Sequence, residues 1–224
     1  FSTGESQDKS RRAHDYLSPI APPPDDPLYR PFWDLSLPIN RHDDLRSKPW
    51  AQSNYIHFCN MAYGQLPESD QDAAWHAYQS YYFNCIRDAD RHLLTVLDAL
   101  EASGQAERTI IVFTSDHGEM AGAHGLRQKG PFMYQENTRV PFIVVHPDVK
   151  TGAETTALGS TVDIVPTLLE LAGVHSERIP ELYPQLAGVS LASAVSSLQG
   201  TTERDQRGVL FNYNTTHYID SQFI

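Results

Sequence analysis

The sequence predicts an α/β domain: part of a doubly wound, mainly parallel sheet with flanking helices. Three observations predict it. Thr109–Thr114 (TIIVFT) is apolar on both faces, as a strand covered by helices on each side would be. A long amphipathic run precedes it over residues 69–103. A second apolar run, Val140–Val145 (VPFIVV), and a short apolar helical pattern at Asp163–Leu171 follow. Helix, strand, loop, strand, helix is the alternation expected of such a sheet.

In the 69–103 run, Trp75, Tyr78, Tyr82, Ile86, Ala89, Leu93, Val96, Leu97 and Leu100 recur every three or four residues. Ser69–Asp70 supplies a start signal and Gly104 a stop. One aromatic-rich face of this helix is therefore expected to be buried, with Cys85 on that side as a buried thiol. The helix at Asp163–Leu171 has Pro166 in its first turn and Gly173 past its end. A last strand is expected at Gly208–Tyr213. Residues 1–55 are poorly periodic and carry eight prolines by Pro49, which disfavours long helices and central strands. Tyr16, Leu17, Tyr29, Phe32 and Trp33 are anchors for an irregular segment laid over a folded body. The domain reading is thus an irregular segment 1–55, an α/β body 56–200, and the start of a small C-terminal antiparallel subdomain at 201–224.

The chain has 224 residues, 40% of them apolar, so a sizeable core is available. The net charge of -11 argues against binding a nucleic-acid backbone, which needs clustered Lys and Arg. Cys59 and Cys85 are too few and too far apart for a disulfide framework or a CxxC pair. No apolar run reaches the ~18 residues of a membrane span.

Chemistry-bearing residues concentrate where the first apolar run ends, in TSDHGEMAGAHGLRQKG. Ligands in open α/β sheets bind beyond the carboxyl ends of strands. Asp116 and His117 are neighbours, so within a strand they would point to opposite faces. A turn at Gly118 lets both reach one cation. Carboxylate with imidazole suits Zn²⁺ or Mn²⁺ readily and Ca²⁺ less well, and two ligands are too few for any of them. Taken alone, the pair reads better as a turn cap beside a solvent-facing imidazole. The loop after it adds His124, Arg127 and Lys129. Lys129 lies thirteen residues past Asp116, far enough for the loop to fold back and place an ammonium opposite a metal, around a tetrahedral anion.

TSDHGEMAGAHGLRQKGPFMYQENTRVPFIV resembles the signature of the sulfatases, in the alkaline phosphatase superfamily. DIVPTLLELAGV, LAGVSLASAV, HDDLRSKPWAQSNY and YYFNCIRDADRHLLTVLDAL resemble the family's neighbouring segments, so the likeness covers most of residues 36–213. The resemblance implies a sulfatase fold and hydrolysis of sulfate esters. It implies that Asp116 and His117 ligate a divalent cation, Ca²⁺ foremost, with Mn²⁺, Mg²⁺ or Zn²⁺ as alternatives. It makes Lys129 the catalytic, sulfate-contacting residue. His124 is either a substrate-binding residue or one that orders the loop. Arg139 is expected to be structural, in a buried or partly buried pair near the strand start.

The family's Cys/Ser-x-Pro-x-Arg motif, whose Cys or Ser becomes formylglycine, does not occur in this chain. Neither do the family's first pair of metal-binding aspartates. The chain therefore reads as the later half of a sulfatase, inactive alone, with the missing N-terminal half as its partner. Two alternatives remain open: a phosphonate monoester or phosphodiester hydrolase on the same scaffold, and a truncated non-catalytic relative. The aromatic segment 29–33 and His175–Tyr183 either line a pocket or pack on the body.

Overall fold

Strands β1, Ile111–Thr114, and β2, Phe142–Val145, pair antiparallel, with Ile111 opposite Val145 and Thr114 opposite Phe142. A computed structural model describes residues 34–66, 71–149, 152, 154–197 and 202–213. The expected mainly parallel sheet is represented among these residues by this one antiparallel pair, with helices before and after it in the chain. The segment between the strands brings the chain back beside the end of β1, so β2 runs the opposite way.

Helix α1 spans Trp50–Tyr63 and helix α2 Gln71–Ala102. Helix α3 spans Gln135–Thr138, α4 Ile164–Leu171, α5 Ile179–Leu182, α6 Ala192–Ser196 and α7 Glu203–Arg207. Helix α1 corrects the expectation that residues to 55 are irregular. Pro49 precedes its first residue, a position where a missing N–H costs no helical hydrogen bond. The proposed cap at Ser69–Asp70 and the anchors Tyr16 to Trp33 lie outside the described residues. Gly104, at φ +67, closes the end of α2 by donating to the Glu101 carbonyl at 2.9 Å, as expected.

The chain divides into two compact units. Among the described residues the first comprises 34–66, 71–99 and 117–139; the second comprises 100–116, 140–149, 152, 154–197 and 202–213. The boundary between Asp116 and His117 falls inside the sequence motif. In the first unit the core is Leu45, Tyr55, Cys59, Met120, Ala123, Leu126 and Phe132. The rings of Tyr55 and Phe132 meet edge to face at 5.1 Å. Met120 and Leu126 are each 1% exposed, so the glycine-rich loop contributes its own apolar anchors, worth about 1.5–3 kcal/mol apiece.

The aromatic face expected of α2 is buried only in part. Trp75 is buried, together with polar Gln79, Ser80 and Asn84, whereas Ile86 and Val96 are exposed. The reason is the neighbour: Gln79 Nε2 donates to the Ala121 carbonyl at 3.0 Å, so this face reads a polar backbone loop. Cys85 is half-buried, which corrects the expectation of a buried thiol there; Cys59 is the fully buried one. Burial pushes the Cys59 thiol pKa up.

In the second unit, Asp163 at the start of α4 is fully buried. Its carboxylate accepts from Ser160 N at 2.8 Å, from Val189 N at 2.9 Å and from Arg204 Nε at 2.9 Å. Arg204 lies in α7, so this ion pair fastens residues 202–208 to the start of α4. Thr167 Oγ1 donates to the Asp163 carbonyl and accepts from Leu191 N at 2.9 Å. The strand expected at Gly208–Tyr213 does not form among the described residues. The stretch is non-helical without a ladder partner, and Val209 and Leu210 are exposed.

Removing the Asp163 carboxylate leaves Arg204 buried beside two unsatisfied amides. Asp163→Ala is expected to lower unfolding free energy by about 3–5 kcal/mol, measured by urea denaturation. An unchanged midpoint would show that the pair is not holding the unit together.

Candidate functional site

The Glu119 carboxylate gathers the two arms of the loop from His117 to Gly130. Glu119 Oε1 accepts from Tyr78 Oη at 3.0 Å, from Ala121 N at 3.1 Å and from Gln128 N at 2.6 Å. It thereby joins both arms of the loop to α2. The Tyr78 hydroxyl pKa is raised, first by burial and then by the Glu119 charge beside it. Gly130 N donates to Tyr55 Oη at 3.1 Å, and Asn137 Nδ2 donates to the carbonyls of Gly130 and Phe132 at 3.2 and 3.0 Å.

Gly118 is needed for a reason other than backbone freedom. It is not among the glycines at positive φ. A Cβ built there would lie 1.9 Å from the Glu136 carbonyl oxygen, and Gly118 N donates to the Asn137 carbonyl at 2.8 Å. The loop start is therefore pressed against α3, and no side chain fits between them.

This placement sets the tautomer of His117. Its Nδ1 is 2.9 Å from the Gly118 carbonyl, which can only accept, so Nδ1 carries the proton. Nε2 then presents its lone pair, 3.0 Å from Lys129 Nζ, which donates to it. The carbonyl fixes the orientation of the ring, as the partners of metal-ligating imidazoles do; the Nε2 lone pair is taken up here by Lys129, so a cation at that nitrogen would displace the lysine contact. Asp116 precedes it in the chain, is exposed, and has Ser115 Oγ at 3.4 Å. The structure thus brings His117 and Lys129 into direct contact across the loop.

His124 is built into a different contact set. Nδ1 donates to Asp43 Oδ2 at 2.7 Å, Nε2 accepts from Asn40 Nδ2 at 3.0 Å, and the ring stacks on Tyr134 with centroids 3.8 Å apart. Both ring nitrogens are engaged by protein, which favours loop ordering over substrate contact. His124 has φ +55, and Ala121 and Gln128, at +45 and +62, share this left-handed region, which non-glycine residues rarely adopt. Strain gathered in one loop persists only where the surroundings over-determine it. Asp43 also pairs with Lys48 Nζ at 3.3 Å, and the His124 hydrogen bond holds its carboxyl below the ordinary 3.8.

Arg139 corrects an expectation: it is exposed, and its backbone N–H closes α3 on Gln135 O at 2.9 Å. The buried side chain of that segment is Asn137. His175 and Tyr183 are exposed; segment 29–33 lies outside the described residues. Sequence reading missed Glu119, Asn40, Asp43 and Tyr134. Their partners lie up to 84 residues away, and no local spacing marks them.

A family model described as Sulfatase matches residues 40–174, more than half of the chain. The chain belongs to the sulfatase family. Arylsulfatase K of Xenopus laevis is 29% identical over 177 residues, covering 76% of this chain and 30% of that protein. N-acetylglucosamine-6-O-sulfatase of Bacteroides thetaiotaomicron is 36% identical over 134 residues, covering 58% of this chain and 23% of its own length. A solved structure in complex with its substrate, D-glucosamine-2-N,6-O-disulfate, is 30% identical with a TM-score of 0.54, over 70% of this chain and 30% of that one. The fold is therefore the alkaline phosphatase-like fold of the sulfatases. The chain spans about a quarter to a third of the length of these relatives.

Two outcomes test the geometry of the loop. Gly118→Ala forces the loop away from α3 and is expected to cost about 1–3 kcal/mol of stability by urea denaturation; wild-type stability would refute the close approach. The Asp43 contact has a depressed folded pKa. Its contribution is present at neutral pH and lost as pH falls through that value, below the ordinary 3.8. Amide exchange at residues 122–126 is therefore expected to show a protection step in acid. In Asp43→Asn that step should vanish and exchange should already be faster at neutral pH, which separates Asp43 from Glu119.

Proposed function

We propose that this chain carries the later part of the active site of a sulfuric ester hydrolase. The observation that carries the reading is the contact between Lys129 Nζ and the oriented His117 Nε2, in a chain of the sulfatase family. Asp116 and His117 are the proposed ligands of a divalent cation, with Ca²⁺ foremost. The donors fit this role in kind: one exposed carboxylate and one imidazole whose proton sits on Nδ1, donated to the Gly118 carbonyl. Among the described residues no group of three or more His, Cys, Asp or Glu side chains is placed to hold a metal. Further ligands must then come from elsewhere in the protein. The bound ion would polarise a sulfate oxygen.

The chain's own residues supply the rest of the argument. Lys129 presents an ammonium at the mouth of the loop and offsets negative charge on a sulfate oxygen. Asn40, Asp43 and Tyr134 hold His124, and Glu119 holds both arms of the loop, so Lys129 keeps its place relative to His117. Relatives named for sulfatase activity, one solved with a disulfated glucosamine, support a sulfate ester as the substrate class. We further propose that these 224 residues alone are inactive, because no Cys/Ser-x-Pro-x-Arg nucleophile motif occurs among them.

The test uses the whole protein that contains these residues, with 4-nitrophenyl sulfate as the probe. Lys129→Ala is expected to lower turnover by about 10²-fold or more, and Asp116→Asn to weaken Ca²⁺ binding in calorimetry. Faster hydrolysis of an aryl phosphonate ester than of the sulfate would move the protein to the phosphonate monoester hydrolases. Turnover of neither points to a non-catalytic relative. Turnover of the sulfate by the 224-residue chain itself would refute its incompleteness.

A further inference from the structure

Asn137, in α3, touches both ends of the glycine-rich loop. Its carbonyl accepts from Gly118 N at 2.8 Å, next to His117. Its Nδ2 donates to the Gly130 carbonyl at 3.2 Å, next to Lys129. We infer, on the sulfatase reading above, that Asn137 is a positioning residue that sets the lysine against the imidazole.

Connectivity is the first reason. His117 and Lys129 are twelve residues apart in the chain and meet at 3.0 Å. Each end has contacts of its own. Beside His117, the amides of Gly118 and Glu119 donate to the consecutive carbonyls of Asn137 and Glu136, at 2.8 and 3.1 Å. Beside Lys129, Tyr55 Oη accepts from Gly130 N. The Asn137 backbone is thus fastened to the imidazole end, and its side chain carries that position across to the lysine end.

The second reason is the turn that Asn137 holds. Pro131 has no N–H, so the peptide between Gly130 and Pro131 offers only its carbonyl as a handle. Gly130 has φ +56, and a Cβ there would collide with the Phe132 ring. The chain after Lys129 therefore turns tightly. Asn137 Nδ2 donates one N–H to the Gly130 carbonyl and the other to the Phe132 carbonyl at 3.0 Å. Both partners can only accept, which fixes the orientation of the amide.

The third reason is an unmet acceptor. Asn137 is 5% exposed, and its Oδ1 is buried with no hydrogen-bond partner among the described residues. A buried acceptor left unmet is costly. The carboxamide stands there at that cost for its two donors, which hold the turn that carries Lys129.

The test uses the whole protein that contains these residues. In the metal-free protein, with ¹⁵N-labelled histidines, Lys129→Ala moves the His117 Nε2 resonance, because it removes the donor at that nitrogen. Asn137→Ala is expected to move it in the same direction. Asn137→Ser keeps one donor; it is expected to give a smaller shift and decides the matter where the alanine variant fails to fold. A resonance unmoved in the folded variants would overturn the inference. Turnover of 4-nitrophenyl sulfate is the second readout. Asn137→Ala is expected to lower kcat about tenfold or more, and to cost nothing further where Lys129 is already alanine. Equal losses in both backgrounds would also overturn it, because they mark a residue that only supports folding. A wild-type protein without sulfate turnover would sink the sulfatase reading, and the resonance would still decide whether Asn137 places Lys129.

Discussion

One carboxylate oxygen organises the candidate site. Glu119 Oε1 draws together the Tyr78 hydroxyl and the amides of Ala121 and Gln128, from α2 and from opposite arms of the loop. A glycine-rich segment alone would sample many conformations. Three donors on one acceptor, with Met120 and Leu126 buried on either side, leave it one. The left-handed backbone at Ala121, His124 and Gln128 follows from this. Those conformations are unfavourable by themselves and persist because the hydrogen bonds and the core outweigh them.

Lys129 inherits its position from that arrangement. It follows Gln128, whose amide is held by Glu119, and precedes Gly130, whose amide is held by Tyr55. His117 is set from the other end, where the approach of Gly118 to the Glu136 carbonyl leaves the Gly118 carbonyl facing the imidazole. The lysine–imidazole contact therefore joins two independently fixed ends of one loop. The second unit shows the same device: Asp163 accepts from Ser160, Val189 and Arg204 and gathers segments that share no periodic pattern.

Much of the fold was legible because it depends on local rules. The strands at Ile111–Thr114 and Phe142–Val145 and the helices at Gln71–Ala102 and Ile164–Leu171 lie within the ranges that hydrophobic periodicity predicts. What was misjudged depends on neighbours. Helix α1 was hidden by the proline-rich run before it. The buried face of α2 is partly polar because it meets a loop backbone. The segment Gly208–Tyr213 has strand composition but no strand beside it among the described residues.

The sequence by itself determined the family and the α/β class and singled out Asp116, His117, His124 and Lys129 as candidates, because a motif carries its residue types and order along one stretch of chain. Only the tertiary structure decided what those residues touch. Asn40 and Asp43 reach His124 across more than 80 residues, and Tyr78 reaches Glu119 across 41. A hydrogen bond needs about 3 Å and a fixed angle, which folding sets and sequence spacing does not.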